Sequence, residues 1–222
     1  MMKIWAVSDT HGNHSNLVVP PDIDCLIFAG DATNYRNISQ NEIEFYDFKQ
    51  WLFDLPIKHK ILIAGNHDTW ATKKYNIDDL KHNNVIYLEH EYFELDDLTI
   101  FGSPYTPVFN DWNFMVKKDK ISRYWDDLNE NIDILITHGP PKGILDLSHN
   151  HEEVLERCGD SALQKKVDKI KPLFHIFGHI HDSPGCFNQG ILQRSGVHYM
   201  NVSCVTDGKL NQLSSHGLTI NI

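Results

Sequence analysis

The chain has 222 residues, 41% hydrophobic and 23% charged, a length and composition that predict one globular domain over 1–222. No apolar run approaches the roughly 20 residues a membrane-spanning helix needs, and the opening MMKIWAVSDTHG lacks a secretory h-region, so a cytoplasmic protein without a membrane partner is expected. The net charge of −10 argues against a long nucleic-acid duplex, which needs a basic footprint, but leaves room for a small anionic substrate beside bound cations.

Short apolar runs, each followed by an abrupt polar cluster, recur along the chain. Lys3–Val7 leads to Asp9 and His11, Cys25–Ala29 leads to Gly30 and Asp31, and 60–64 leads to Gly65, Asn66, His67 and Asp68. Later, 132–136 leads to Thr137, His138 and Gly139, and Phe174–Phe177 leads to Gly178, His179 and His181. Runs of four or five Ile, Val, Leu and Phe residues bounded by turn residues predict buried strands. Between them, 42–55 carries Phe45, Phe48, Trp51, Leu52 and Leu55 at helical spacing and stops at Pro56. A weaker helical pattern covers 121–128. The segment 161–171 buries Leu163, Val167 and Ile170, opens with Ser161 and Gln164 in capping-box spacing, with Asp160 or Ser161 as N-cap, and stops at Pro172. In the C-terminal part, 197–205 and 218–222 read as strands without a helix, and more antiparallel pairing is expected there. Alternating strands and helices predict an α/β sheet with parallel pairs, and such sheets bind ligands at the carboxyl ends of their strands. All five polar clusters fall there.

Carboxylate, imidazole and amide donors suit borderline or hard divalent ions such as Mn, Fe, Zn or Ni. A two-metal site needs a shared ligand, and an aspartate can turn one oxygen to each cation. Gly30, Gly65, Gly139 and Gly178 permit sharp turns and close approach at strand ends. Cys25, Cys158, Cys186 and Cys204 lack C-x-x-C spacing and read as reduced thiols.

The ordered blocks D-x-H (Asp9 to His11), G-D (Gly30, Asp31), G-N-H-D (Gly65 to Asp68), H-G (His138, Gly139) and G-H-x-H (Gly178 to His181) resemble the calcineurin-like metallophosphoesterase superfamily. The segments 101–114, 137–141 and 178–182 are similar to its metallophosphoesterase-domain-containing subfamily. The resemblance implies an α/β/β/α four-layer sandwich with two mixed sheets. It also implies that Asp9, His11 and His181 hold one divalent metal and Asn66, His138 and His179 a second, with Asp31 bridging. His67 would face the scissile phosphate as general acid without ligating, and Asp68 would orient its imidazole. The expected reaction is hydrolysis of small, nucleotide-like phosphodiesters by a hydroxide bridging the two metals. A phosphomonoesterase on the same site is the alternative; a nuclease lacks a basic track, and a non-catalytic binding module is expected to have substituted ligands. Tyr105, Phe109, Trp112 and Phe114 form an aromatic loop, either a nucleobase wall or ordinary lid packing. Lys142 and Arg36 follow ligand blocks and are candidates for substrate phosphate, although solvated roles suit exposed loop charges. His149 and His151 are candidates for the pocket rim, and Asp182 for a turn or a partner of the metal ligands.

Overall fold

The computed structural model describes residues 1–150, 152–208 and 212–222. In chain order it contains β1 (Lys3–Val7), β2 (Cys25–Ala29), α1 (Ile38–Asp54), β3 (His59–Ile63), α2 (Lys74–His82), β4 (Val85–Tyr87), β5 (Glu91–Leu95) and β6 (Leu98–Ser103). Next come the short β7 (Thr106–Pro107) and β8 (Met115–Val116), α3 (Ser122–Asp126), β9 (Ile134–Thr137), β10 (Leu147–His149) and β11 (Leu155–Arg157). The last elements are α4 (Ser161–Ile170), β12 (Phe174–Phe177), β13 (Gly190–Arg194), β14 (Val197–Asn201) and β15 (Leu218–Asn221).

Two mixed sheets result. The first has the order β15-β1-β2-β3-β4, its four N-terminal strands parallel and β15 antiparallel to β1. The second has the order β13-β14-β12-β9-β6-β5, parallel except at its edges, where β13 and β5 run antiparallel to their neighbours. Strand alternation assigns the layers. Cys25, Ile27 and Ala29 of β2 join Ile4, Ala6, Ile61 and Ile63 against Ile100, Ile134, Ile136, Ile176 and Met200 of the other sheet. Leu26 and Phe28 face outward onto Phe45, Phe48 and Leu52 of α1 and Leu80 of α2. On the far side, Phe101, Leu135, Phe177 and Tyr199 meet Trp125 of α3 and Leu163, Val167 and Ile170 of α4. The architecture is the expected four-layer α/β/β/α sandwich, and its central parallel strands β2, β9 and β12 read as apolar runs because both faces are covered.

Local signals decide the helix ends. The Asn37 side chain caps α1 by accepting from Ser39 N and Gln40 N. The helix therefore starts four residues earlier than apolar spacing alone indicates. In α4 the cap is Asp160, which accepts from Ala162 N at 2.7 Å and from Trp125 Nε1 at 2.6 Å. The predicted capping box with Gln164 does not form, because Gln164 instead donates to Asp168. α2 and β4 to β6 lack the long periodic patterns of the other elements. Among the described residues, no helix is long and apolar enough to cross a membrane.

Candidate dimetal site

The five clusters come together where the carboxyl ends of β1, β2 and β3 meet those of β9 and β12. Backbone contacts continue each sheet's ladder past its strand ends: Asp9 N donates to Gly30 O at 2.9 Å in the first sheet, and Gly178 N donates to His138 O at 2.9 Å in the second. Gly30 has a φ of +96°, and a Cβ on it would meet Gly65 N at 2.7 Å, so no larger residue fits that turn. Asp9, His11, Asp31 and His179 themselves have φ of 52°, 44°, 56° and 68°. Four side-chain-bearing residues in the left-handed region each cost about 1 kcal/mol or more. The surrounding fold holds them there so that their side chains converge.

Asp9 and Asp31 each turn one carboxylate oxygen toward imidazoles while nearby donors hold the other. Asp9 Oδ2 accepts from the Ser8 hydroxyl and from His179 N at 2.9 Å, while Oδ1 lies 3.2 Å from His181 Nε2. Asp31 Oδ1 accepts from His67 N at 2.7 Å, while Oδ2 lies 3.4 Å from His138 Nε2 and 3.9 Å from His11 Nε2. Asp31 thus offers one oxygen to both sides, rather than one oxygen to each, because the turn after β3 takes the other. His138 Nε2 is also 3.0 Å from Asn66 Oδ1. In three sets the ligating atoms all lie within 4.8 Å of one another: Asp9, His11 and His181; His11, Asp31 and His67; Asp31, His138 and His179.

Outer partners fix the imidazoles. His138 Nδ1 donates to Ala29 O at 2.9 Å, leaving the Nε2 lone pair to point inward. His181 Nδ1 lies 3.1 Å from Asp207 Oδ1. Such contacts orient a ligand ring and raise its basicity. Asp207 and Ser8 carry no motif signal, and sequence reasoning missed both.

The electrostatics call for positive charge. Burial raises Asp9, but the hydrogen bond and charge of His181 outweigh it and hold the carboxyl at about 2. Burial likewise raises Asp31, and His138 and His67 overcome it, leaving the group well below the carboxylate range. Burial lowers His138 and His181, yet Asp31 brings the first up to about 9, and Asp207 and Asp9 bring the second up to about 10. Burial pushes His11 down to about 4 and His179 down to about 3. Both ring nitrogens of His11 are buried without a hydrogen-bond partner among the described residues, an arrangement a cation would satisfy. The converging N and O donors, with no thiolate among them, fit two divalent metals.

His67 and Asp68 behave differently from each other. His67 Nδ1 bonds to Asn34 O at 2.9 Å. Its ring lies edge-on to His11 at 4.7 Å and stacks on Trp112 at 4.2 Å. The expectation that Asp68 orients this ring is not met. The fully buried Asp68 carboxylate instead accepts from Asp31 N and Gly65 N at 2.8 Å, from Thr33 N at 3.0 Å and from Thr33 Oγ1 at 2.9 Å. Burial, then the charge of Asp31, push it up to about 6 against those donors. The physical reason for the correction is demand: the turn after β2 has buried N–H groups that need an acceptor, and the His67 ring is already served by a carbonyl.

A cavity of about 690 Å³ opens beside His179 and His181, with Phe109, Lys118, Lys142 and Ser148 in its wall. Phe109 is 5.5 Å from the His179 ring. His149 lines this cavity; His151 lies outside the described residues. Arg36 sits with Cζ 4.8 Å from the Trp112 ring centre and pairs with Asp111. Asp182 plays the turn role, accepting from Asn188 N and Gln189 N.

A family model described as calcineurin-like phosphoesterase matches residues 2–183. Human metallophosphoesterase domain-containing protein 1 is 32% identical over 229 residues, 92% of this chain and 66% of that protein. Probable rhamnogalacturonate lyase C of Emericella nidulans is 36% identical over 196 residues, 83% of this chain. The chain spans 18% of that lyase's length and just under two thirds of the human relative's. In fold, the crystal structure of phosphopantetheinyl hydrolase from Mycobacterium tuberculosis is similar, with a TM-score of 0.59 at 13% identity over 98% of this chain and 94% of that one. The chain therefore belongs to the calcineurin-like phosphoesterase family of dimetal-dependent hydrolases.

Proposed function

We propose that this phosphoesterase hydrolyses small, nucleotide-like phosphodiesters. The observation that carries the reading is the cavity of about 690 Å³ beside His179 and His181, within the range that encloses a drug-sized ligand. Its wall combines an aromatic ring, Phe109, with the cations of Lys118 and Lys142, which suits one organic group and one anionic group on the same molecule. The single unit expected over 1–222 and a cytoplasmic setting belong to the same reading, and the free thiols of Cys25, Cys158, Cys186 and Cys204 support the latter.

In this reading Asp9, His11 and His181 would hold one divalent ion and Asn66, His138 and His179 the other, with Asp31 shared between them; Mn, Fe, Zn and Ni all suit these donors. When bound, the ions supply Lewis acidity, activating water and offsetting charge on the phosphoryl group. The chain's own residues do the rest. Lys142 and Lys118 hold the substrate's non-reacting part. The ester P–O bond breaks, a water oxygen takes its place on phosphorus, and the departing oxygen receives the Nε2 proton of doubly protonated His67, whose Nδ1 keeps its own proton on Asn34 O. The proton released by that water restores His67 over the cycle. Positioned proton donation of this kind is worth about 10²–10⁴-fold.

The test is the ratio of kcat/KM for bis(p-nitrophenyl) phosphate and p-nitrophenyl phosphate on protein stripped and reloaded with Mn, Ni, Zn or Mg. A diester preference is the expected result. A monoester preference on the same reloaded protein replaces this reading with the phosphatase one, and failure to bind any metal leaves the binding-module reading.

A further inference from the structure

We propose that Trp112 is a positioning residue that fixes the plane of the His67 imidazole, so that the aromatic loop acts on proton transfer rather than as a wall for a nucleobase. The inference rests on the reading of His67 as the proton donor. A carbonyl oxygen only accepts, so the 2.9 Å contact with Asn34 O keeps one proton on Nδ1 and leaves Nε2 as the atom that carries and gives up the second. One hydrogen bond does not by itself hold the ring, because the histidine χ2 torsion is broad and rotation about Cβ–Cγ carries Nδ1 off the Asn34 carbonyl. The indole of Trp112, with its centroid 4.2 Å away and its plane at 28°, removes that freedom.

Four further contacts make Trp112 a fixed surface. The Arg36 guanidinium lies 4.8 Å from the indole centre and pairs with the neighbouring Asp111 at 3.2 Å. Asn113 donates its backbone N–H to Asn66 O at 3.3 Å and its side-chain amide to Thr69 Oγ1 at 2.9 Å. The loops 33–36 and 111–113 therefore grip the turn 66–69 from both sides. An indole already engaged by His67 and Arg36 has no free role as a base platform, whereas Phe109, half exposed at the cavity, is open.

The proposal is tested with two substrates that differ only in leaving group, methyl p-nitrophenyl phosphate and methyl phenyl phosphate. p-Nitrophenolate departs readily without a proton, and phenolate does not. In metal-reloaded protein, Trp112→Ala is expected to lower kcat for the phenyl ester about tenfold more than for the nitrophenyl ester, and Trp112→Phe to restore most of it. Melting temperature and metal content, measured for both variants, confirm that each folds and loads. A second readout needs no turnover. In stripped protein the His67 Nδ1–H proton signal, held by Asn34 in the parent, is expected to be lost in Trp112→Ala and kept in Trp112→Phe. Equal loss on both esters, a change in KM alone, or an undisturbed Nδ1–H signal in the alanine variant overturns the proposal. If the parent hydrolyses neither ester, the diesterase reading fails while the proton signal still decides the role of Trp112.

Discussion

The Asp68 carboxylate accepts the backbone N–H of Asp31 at 2.8 Å. The last residue of the G-N-H-D block thereby fixes the residue that stands at the middle of the site. Removing a buried acceptor that serves Asp31, Thr33 and Gly65 leaves several donors without partners, at about 1–3 kcal/mol each before relaxation. Asp68→Ala is expected to lose about 3 kcal/mol or more in urea unfolding of the stripped protein, and to bind metal more weakly because Asp31 shifts. An unchanged urea midpoint together with lost activity would return Asp68 to the role of orienting His67.

Gly178 admits a prediction that separates site from scaffold. A Cβ at this position would run into Ser8 Oγ and Asp9 Oδ2, both side-chain atoms of the residues that pair at the end of β1. Gly178→Ala forces the Asp9 carboxylate off the line to His181, while the strands behind it keep their apolar contacts. Metal content of the purified variant is expected to fall by at least one ion per chain, with melting of the stripped form shifted only slightly. Full metal content would show that Asp9 can move aside without leaving the site.

The positions of the donors were legible because each block is short and follows an apolar run, so local sequence alone brings Asp9, Asp31, Asn66, His138, His179 and His181 to strand ends. The outer partners were not legible. His67 is held by the carbonyl of Asn34, and a backbone oxygen leaves no trace in side-chain identity. Asp207 reaches His181 across 26 residues of chain, and Trp112 reaches His67 across 45, so no spacing rule connects them. The bonds of Asp68 are hidden for a related reason: sequence adjacency points to His67, whereas its hydrogen bonds go to Gly65 and to the turn after β2, more than 30 residues away. The positive φ values of Asp9, His11, Asp31 and His179 were equally hidden, since these residue types more often take ordinary backbone.

Asp31 and His67 test the ligand assignment against each other. Asp31 Oδ2 faces both His138 and His11, so Asp31→Ala is expected to lose both ions. His67 also lies within ligating distance of His11 and Asp31, yet its Nδ1 is committed to Asn34 and the role proposed for it is proton donation. His67→Ala is therefore expected to keep two ions per chain and lose most turnover. Elemental analysis of both variants after reloading and desalting gives the answer, and an ion missing from His67→Ala would make it a ligand.

His175 gives the molecule a pH dependence of its own, away from the donors. It is fully buried in β12, with rings of Phe177 and Tyr199 about it. Thr137 Oγ1 gives its proton to Gly139 O at 2.7 Å, so His175 Nε2 must donate to that hydroxyl at 2.8 Å, and Nδ1 has no partner. Protonation would bury an unpaired N–H and a charge, and burial accordingly pushes the group down from 6.5 to about 3. The folded state then binds fewer protons than the unfolded chain between those values. The stability contribution is fully present above pH 6.5 and is lost progressively as pH falls toward 3. At pH 5 the loss is about 2 kcal/mol, at 1.36 kcal/mol per unit. His175→Gln keeps an N–H donor for Thr137 and removes the titration. In chelator, the parent is expected to lose about 2 kcal/mol more than His175→Gln between pH 7 and pH 5 by urea unfolding, and parallel losses in the two proteins would show that His175 is not what makes the fold acid-sensitive.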